Sequence, residues 1–406
     1  MRRDFRSTVA GMISVMVWLC AAARPAGAAE GADWPCFRGP NHDGISTDSK
    51  WNPAALANSK IAWKTNVGNG YSSVAIKGGL LYTMGNKGDL DTVYCLKVSD
   101  GSTVWTNTYA CQGGDHPGPR VTPTIDGDRV YTLGKEGQVL CLNAADGKII
   151  WQANLTSDFQ AKNTKWGLSG SPRIEGDMLL LNAGQNGIAL KKGTGEKIWA
   201  TAGIGGYSTP VIYSAGDRKC AAIFGEKAMY GVDLKDGKAL WSCPWETSWD
   251  VNAADAIVSG SKIFLSSGYD RGCALLDISG AQPKEVWQSK IMRNHFSSCL
   301  LIDGYIYGID GNTGKGTLRC VELATGTQKW EKDLGFGGLM AADSKLIVLN
   351  ENGDLFIAEA TTSGYKEIST AKGVLGKTCW TAPVLCRGMI FCRNHTGDLV
   401  CVDVSK

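Results

Sequence analysis

A hairpin unit that ends in tryptophan returns along the chain about every 40 to 50 residues, and this periodicity restricts the possible folds more than any other feature. The unit is clearest at residues 95–105 (CLKVSDGSTVW) and 141–151 (CLNAADGKIIW). Further copies lie at residues 189–199, 231–241, 275–287 (with an insertion), 320–330 and 357–368 (without the closing tryptophan). Alternating strands around an Asp-Gly or Thr-Gly turn are typical of β-hairpins. The chain is therefore predicted to be an all-β repeat protein.

The opening half of the unit also recurs and sets the number of repeats. Apolar strands start at eight positions, namely Tyr71, Val121, Ser169, Tyr207, Asn252, Phe296, Gly337 and Trp380. The last segment, residues 399–404, lacks its fourth strand, whereas residues 61–65 form a fourth strand without a blade. Pairing these two segments predicts an eight-bladed β-propeller of four-stranded antiparallel blades with no open edge. Seven blades are the alternative if residues 357–368 do not form a blade.

The closing tryptophans are expected to pack between neighbouring blades, because each buries a large aromatic area. These tryptophan-docking residues are Trp63, Trp105, Trp151, Trp199, Trp241, Trp287 and Trp330.

The N-terminus has the layout of a secretory signal peptide. A basic start with Arg2 and Arg3 precedes a mildly apolar stretch, residues 9–23, and then the small residues 26–28. The apolar stretch is shorter than the ~20 residues that span a bilayer. We therefore predict a signal peptide at residues 1–28, of the Sec or the twin-arginine type. The expected location is the periplasm or the extracellular space, with no transmembrane segment in the mature chain.

Charge and cysteine content narrow the class further. Residues 1–28 carry four arginines and one aspartate, which equals the net charge of +3 of the whole chain. The mature protein is then close to neutral, which argues against a nucleic-acid partner. Thirteen of the fourteen cysteines remain after residue 28, an odd number with no CxxC spacing. We expect a monomer, in which at least one thiol stays unpaired. Which of the other cysteines pair is left open.

Several segments outside the hairpins resemble a known family. They are residues 34–46, 118–124, 166–172, 251–254, 267–269 and 293–295. With the repeat, they resemble the bacterial PQQ-binding-like β-propeller repeat proteins, whose repeats occur in quinoprotein alcohol dehydrogenases and in a propeller of the outer-membrane protein assembly machinery. The resemblance covers nearly all of residues 34–406. It implies the fold, with residues 29–60 as an N-terminal arm packed on a propeller of residues 61–406, and it leaves the activity open.

A propeller brings the starts of its innermost strands together in a funnel on the axis, which is the default ligand site of this architecture. The residues expected there are Tyr71, Arg120, Trp166, Tyr207, Asn252, Asp255, His295 and Trp380. Arginine with aromatic side chains suits a flat, anionic ligand. Alternatively, the same residues only fill the channel and bond neighbouring blades.

Two functions follow from these alternatives. The leading hypothesis is an exported, non-catalytic binding module or scaffold that holds a protein, glycan or small molecule on the funnel face and needs no cofactor. The alternative is an alcohol-oxidising quinoprotein with pyrroloquinoline quinone (PQQ) and calcium, in which Asn252 and Asp255 supply calcium ligands and Asp250 acts as base. The adjacent-cysteine pair of quinoprotein alcohol dehydrogenases is absent, and the loops are short. The four histidines show no metal-ligand spacing.

Overall fold

The strands form eight antiparallel sheets of similar size, one for each repeat of the sequence. A computed structural model describes residues 33–405 together with Met1, so the predicted signal peptide lies outside the described residues apart from Met1. From the innermost strand outward, blade 1 contains Ala75–Lys77, Leu80–Lys87, Leu90–Lys97 and Thr103–Ala110. Blade 2 contains Thr124–Asp126, Arg129–Leu133, Gln138–Asn143 and Ile149–Asn154. Blade 3 contains Arg173–Glu175, Met178–Leu181, Ile188–Lys191 and Lys197–Ala200. Blade 4 contains Val211–Ala215, Arg218–Phe224, Ala228–Asp233 and Ala239–Pro244.

The second half of the ring has the same arrangement. Blade 5 contains Ile257–Ser259, Lys262–Ser267, Gly272–Asp277 and Lys284–Ser289. Blade 6 contains Leu300–Ile302, Tyr305–Asn312, Lys315–Glu322 and Gln328–Asp333. Blade 7 contains Gly337–Ala342, Lys345–Asn350, Leu355–Glu359 and Glu367–Ala371. Blade 8 contains Val384–Cys386, Met389–Arg393, Asp398–Asp403 and, outermost, Ile61–Asn66. The eight-bladed propeller is confirmed, including the blade that lacks a closing tryptophan.

The ring closes where the sequence predicts it. Ile61–Asn66 pairs antiparallel with Asp398–Asp403, with Trp63 opposite Cys401. The segment just before the first blade and the last strand of the chain therefore share one sheet, and this blade cannot form until both are present. Closure of this kind removes the unpaired edge that an open array of sheets would leave between its first and last blades.

The tryptophans connect each blade to the next through a glycine turn. The Trp105 indole donates a hydrogen bond to the Ala144 carbonyl of blade 2 (2.9 Å), and its ring lies over Gly147. Gly147 has a φ of 71°, and a Cβ there would lie 2.4 Å from the Trp105 ring. Glycine therefore supplies both the left-handed conformation and the space. Trp63, Trp151, Trp199, Trp287 and Trp330 also donate to carbonyls of the next blade.

Trp241 departs from this pattern. Its cross-strand partner is Gly231, where a Cβ would lie 2.0 Å from the indole, so the ring settles onto its own blade. The indole N–H then donates to the Tyr213 hydroxyl of the same blade (3.1 Å). The corresponding turn of blade 5 carries the insertion seen in the sequence, and the docking contact of the other blades is replaced at this position.

The residue opposite the docking tryptophan is usually small, which explains part of the cysteine content. Cys95, Cys141, Cys320 and Cys401 lie opposite tryptophans in four blades, and all four are buried. A small, buried and apolar side chain leaves room for the indole on the pleated surface. These cysteines have a packing role.

Segments before the first blade cross the propeller and join several of its sheets. Ile45–Ser46 adds a parallel strand to the innermost strand of blade 7, and Pro53–Asn58 forms a 3-10 helix. The only other helices of the described residues are a short α-helix, Leu155–Phe159, and a second 3-10 turn, Ser248–Asp250. A parallel pair, Ala161–Lys162 with Gly203–Ile204, links two loops. Within residues 33–405, no helix is long and apolar enough to cross a membrane.

Candidate functional site

The starts of the innermost strands surround a cavity of about 350 Å³ on the propeller axis, here called the axial chamber, which is open at one end. Every blade contributes lining residues to it. Seven of the eight side chains expected in the funnel line the chamber, namely Tyr71, Arg120, Trp166, Tyr207, Asp255, His295 and Trp380. They lie together because strand starts at equivalent repeat positions converge on the axis.

Asn252 is the exception and was wrongly expected to line the funnel. Its side chain is fully buried behind the chamber, where its amide donates to the carbonyls of Gly225, Glu226 and Trp245. Its carbonyl oxygen accepts from the Ser267 hydroxyl at 2.7 Å. All of these bonds hold the loop between blades 4 and 5, so Asn252 positions that loop and is not open to a ligand.

Aromatic rings form the mouth of the chamber. Trp380 stacks on Tyr71 (5.5 Å between centroids) and contacts Phe296 (5.3 Å). Arg120 lies over the Tyr71 ring at 5.6 Å and donates to the carbonyls of Gly118 and His116. Burial lowers the pKa of Arg120 from its ordinary value. Its guanidinium is thus largely committed to the protein and is not a free anion receptor.

His295 is a neutral side chain in this environment. It packs against the rings of Tyr269 (4.8 Å) and Phe296 (4.5 Å). Desolvation by burial lowers its pKa to about 4, because the charged imidazolium is disfavoured among apolar neighbours. The buried Nδ1 has no hydrogen-bond partner among the described residues. At neutral pH His295 therefore offers one donor and one acceptor, and no charge.

Below the mouth, side chains at one repeat position bond each blade to the next. At this position, the backbone N–H of the residue in one blade donates to the side-chain oxygen of the equivalent residue in the next blade, from blade 1 through to blade 6. The five donor–acceptor pairs are Ser73 N–Thr122 Oγ1, Thr122 N–Ser171 Oγ, Ser171 N–Thr209 Oγ1, Thr209 N–Asp255 Oδ1 and Asp255 N–Ser298 Oγ. We call this series the axial belt. Gly338 and Ala382, at the corresponding positions of blades 7 and 8, have no side-chain oxygen.

Asp255 is the one carboxylate of the axial belt. Desolvation raises its pKa to about 6, and the nearby Arg38, the Thr209 N–H and Arg173 oppose that rise. Its other oxygen, Oδ2, accepts no hydrogen bond from the described residues, and Asp255 lines the chamber. Asp255 therefore combines a structural bond on one oxygen with an open carboxylate oxygen on the other.

The floor of the chamber comes from residues that the sequence did not assign to the site. Trp34, Phe37 and Arg38 of the N-terminal arm close the end opposite the aromatic mouth. Arg38 donates from Nε to the His42 carbonyl and from Nη2 to the carbonyls of Asp43 and Cys299. No signal in one sequence shows that an arm outside the repeats returns to the axis. Only the fold brings it there.

The residues present do not fit a PQQ and calcium centre. Asn252 is engaged in four hydrogen bonds, one oxygen of Asp255 is already bonded, and Asp250 is not among the chamber-lining residues. Within the described part of the chain, no group of three or more His, Cys, Asp or Glu side chains is placed to hold a metal. Calcium requires about 6 to 8 oxygen ligands. The hypothesis that Asn252 and Asp255 together hold calcium therefore disagrees with the geometry.

Beside the mouth lies a patch formed by the exposed Trp249 and by Lys165, which lies over its ring; we call this patch the rim. Trp249 is 59% exposed and adopts a φ of 67°, a left-handed conformation that bulky residues rarely occupy. The Lys165 ammonium lies 3.9 Å from the centre of the Trp249 ring and 5.2 Å from that of Trp166. The buried Trp245 anchors the loop that carries Trp249 through its N–H bond to the Ser267 hydroxyl (3.0 Å).

Comparison with known proteins relates the chain to two groups. A family model described as outer membrane protein assembly factor BamB matches residues 112–332, more than half of the chain. The chain is 23% identical over 314 residues to the outer membrane protein assembly factor BamB of Yersinia pestis, covering 73% of this chain and 77% of that protein. It is 27% identical over 184 residues to the quinoprotein ethanol dehydrogenase of Pseudomonas putida, covering 38% of this chain and 28% of that enzyme.

Solved structures of both groups share the fold. The quinohemoprotein alcohol dehydrogenase of Comamonas testosteroni superposes with a TM-score of 0.68 at 12% identity, covering 92% of this chain and 80% of that one. BamB of Moraxella catarrhalis gives 0.60 at 14% identity, covering 84% of this chain and 97% of that one. At these identities the superpositions speak for the architecture alone. On the family match, the chain belongs to the outer membrane protein assembly factor BamB family of PQQ-like repeat propellers.

Proposed function

We propose that this chain is an exported, non-catalytic propeller that binds a partner protein on its funnel face through the rim. The observation that carries the proposal is Trp249, a largely exposed indole on a loop held by buried side chains. A left-handed conformation at a non-glycine residue costs about 1–3 kcal/mol and persists where the surrounding structure enforces it, often at binding sites. The relatives named as outer membrane protein assembly factors support an exported location and a protein partner.

Trp249 and Trp166 both contact Lys165, and tryptophan is among the residue types enriched at interface centres. Tryptophan, tyrosine and arginine carry most of the binding energy at protein interfaces. Trp249 is preorganised, so its burial by a partner would cost little conformational entropy. The backbone also has positive φ at His116, Tyr269 and Asp270, residues of other loops on the funnel face. These constraints favour a rigid surface that recognises one partner shape.

Site-specific photocross-linking in the native host tests the proposal. A benzophenone amino acid replaces Trp249 in one strain and Val286 in a second. Val286 is a suitable control because it is 45% exposed on the outermost strand of blade 5, away from the funnel face. We expect a discrete adduct with one protein from position 249 only. The Trp249→Ala variant should bind that protein about 30-fold more weakly, a loss of about 2 kcal/mol. No adduct, or equal adducts from both positions, would contradict the proposal.

The second candidate is the quinoprotein oxidoreductase, which the relation to the Pseudomonas putida ethanol dehydrogenase favours. That relation covers only 28% of the enzyme, the Asn252 side chain is engaged by the protein, and Asp255 has only one open oxygen. We therefore rank the binding function above the oxidoreductase. Direct titration with the cofactor separates the two and is described in the Discussion.

A further inference from the structure

We propose that the axial chamber is a binding site for a small neutral saccharide, of one or two sugar units. This site is distinct from the rim that we assign to the partner protein. The chamber is lined by residues of all eight blades and by Trp34, Phe37 and Arg38 of the N-terminal arm. Its volume of about 350 Å³ falls at the lower end of the range of roughly 300–1,000 Å³ for small-molecule sites. A ligand of this size would contact the lining residues on several sides.

The floor offers one free donor group and one free acceptor. Arg38 uses Nε and Nη2 for carbonyls of the protein, whereas Nη1 donates to none of the described residues. Asp255 uses Oδ1 for the Thr209 N–H, whereas Oδ2 is open. Both side chains line the chamber, yet their charged atoms are not within ion-pair distance of each other in the described part of the chain. A hydroxyl group can accept from Arg38 and donate to Asp255 at the same time, because it has both functions.

A second polar group points to the same chemistry. Ser297 lines the chamber and is 6% exposed, and its Oγ has no hydrogen-bond partner among the described residues. A buried hydroxyl without a partner costs about 1–3 kcal/mol, so a ligand that satisfies it gains affinity. The Nδ1 of His295 is unpartnered in the same way. Together, the free donor of Arg38, the free acceptor of Asp255 and the two unpartnered neutral groups match several hydroxyls.

The walls supply the apolar half of the recognition. Trp166, Tyr207, Phe296 and Trp380 line the chamber with aromatic surface. The faces of aromatic rings are electron-rich and attract polarised C–H groups. A sugar ring presents C–H bonds on its faces and hydroxyls around its edge. The faces of the sugar ring can therefore pack on the aromatic walls while its hydroxyls bond the polar floor.

The charge of the floor excludes simpler ligands on energetic grounds. Asp255 would repel a carboxylate or phosphate placed against Arg38. A zwitterion would bury two further charges, which is costly unless both are fully paired. Arg120, the other arginine of the lining, already donates to two carbonyls of the protein. A neutral ligand with many hydroxyls avoids both penalties.

The test uses the mature protein without residues 1–28. Glucose, galactose, N-acetylglucosamine, maltose and cellobiose are each titrated, with binding followed by calorimetry and by saturation-transfer NMR. Glycine and phenylacetate serve as the zwitterionic and anionic probes. We expect at least one sugar to bind with a Kd below about 1 mM. Asp255→Asn and Ser297→Ala should each weaken that sugar at least tenfold.

Asp255→Asn keeps an acceptor for the Thr209 N–H and removes a charge that burial disfavours, so loss of folding does not confound its result. Val286→Ser, on the outer side of blade 5, is the control and should bind the sugar like the parent protein. The proposal is overturned if no sugar binds at 20-fold above that Kd, if the variants bind equally well, or if only glycine or phenylacetate binds. The cross-linking experiment at position 249 does not depend on any of these outcomes.

Discussion

Arg393 crosses the seam at which the propeller closes, and its removal is the sharpest test of how the ring is held. It ends a strand of blade 8 and is only 1% exposed. Its Nη1 donates to the Ser72 carbonyl (2.9 Å), to the Thr83 hydroxyl (3.1 Å) and to the Met84 carbonyl (2.6 Å). Its Nη2 donates to the Gly68 carbonyl (3.0 Å). All four acceptors belong to blade 1 or to the segment that leads into it.

The size of the effect follows from the acceptors left behind. In Arg393→Met, the buried carbonyls of Gly68 and Met84 lose this donor, at about 1–3 kcal/mol each. Among the described residues, the Ser72 carbonyl keeps only the long hydrogen bond from the Thr83 hydroxyl (3.5 Å). The buried arginine has no carboxylate partner among the described residues, and burial lowers its pKa to about 9. Because the variant no longer buries this desolvated charge, part of the lost free energy of unfolding is regained. We therefore expect a net destabilisation of about 3–5 kcal/mol, in the range found when one partner of a buried polar network is removed. Arg393→Lys should lose less, because it keeps the charge but not the planar fork.

Urea unfolding at neutral pH, followed by the fluorescence of the docking tryptophans, measures this effect. We expect the midpoint of Arg393→Met to fall by roughly 1 M relative to the parent protein. Arg218→Met is the matched control, since Arg218 is largely exposed and makes one long ion pair with Asp233 (3.5 Å). Its change should stay within about 1 kcal/mol. If Arg393→Met unfolded at the same urea concentration as the control, the seam would not depend on this side chain, and the reasoning would be refuted.

Three further outcomes are expected. Because the pKa of Asp255 is raised to about 6 in the folded protein, the folded state binds more protons between pH 4 and 6, and stability falls as the pH rises through this window. Asp255→Asn should match the parent at pH 4 and exceed it by about 2 kcal/mol at pH 7, and a pH-independent difference in urea stability would contradict this. Of the thirteen described cysteines, only Cys243 is not buried, so Ellman's reagent should modify at most one thiol in the native mature protein and thirteen in urea. Rapid reaction of several thiols without denaturant would argue against this packing. Calorimetric titration with PQQ should show no calcium-dependent binding, whereas micromolar binding that Arg120→Ala abolishes would favour the oxidoreductase.

The fold was predictable because it depends on local sequence patterns that recur along the chain. Asp-Gly turns, alternating strands and a closing tryptophan are each short-range signals, and their repetition determines the number of blades. The degenerate unit at residues 357–368 still forms a blade, because Leu355–Glu359 and Glu367–Ala371 pair and pack like the others. There, the indole of Trp330 donates to the Thr361 carbonyl and its ring contacts Tyr365. Blade formation depends on strand pairing and burial more than on the signature tryptophan.

The candidate site was predictable only in part. Equivalent positions of the repeat converge on the axis, and Tyr71, Trp166 and Trp380 line the chamber there. Their role in binding stays a prediction. Asn252 occupies such a position but turns away from the chamber, because loop carbonyls and the Ser267 hydroxyl satisfy its amide. The direction of a side chain depends on the partners that the fold supplies, and one sequence does not reveal them.

What the sequence by itself determined is the architecture: the repeated hairpins, the eight blades and the closure of the ring by its two ends. The hairpins and blades follow from interactions between residues close in the chain, repeated often enough to define a period. The closure follows from the missing fourth strand of the last unit and the unpaired strand before the first one. What only the tertiary structure decided is the chemistry of the axis. Arg38 meets Asp255 in one chamber across more than 200 residues of chain, and the burial of each group depends on all eight blades. Periodicity carries no information on such contacts, because desolvation and hydrogen-bond partners exist only once the ring is closed.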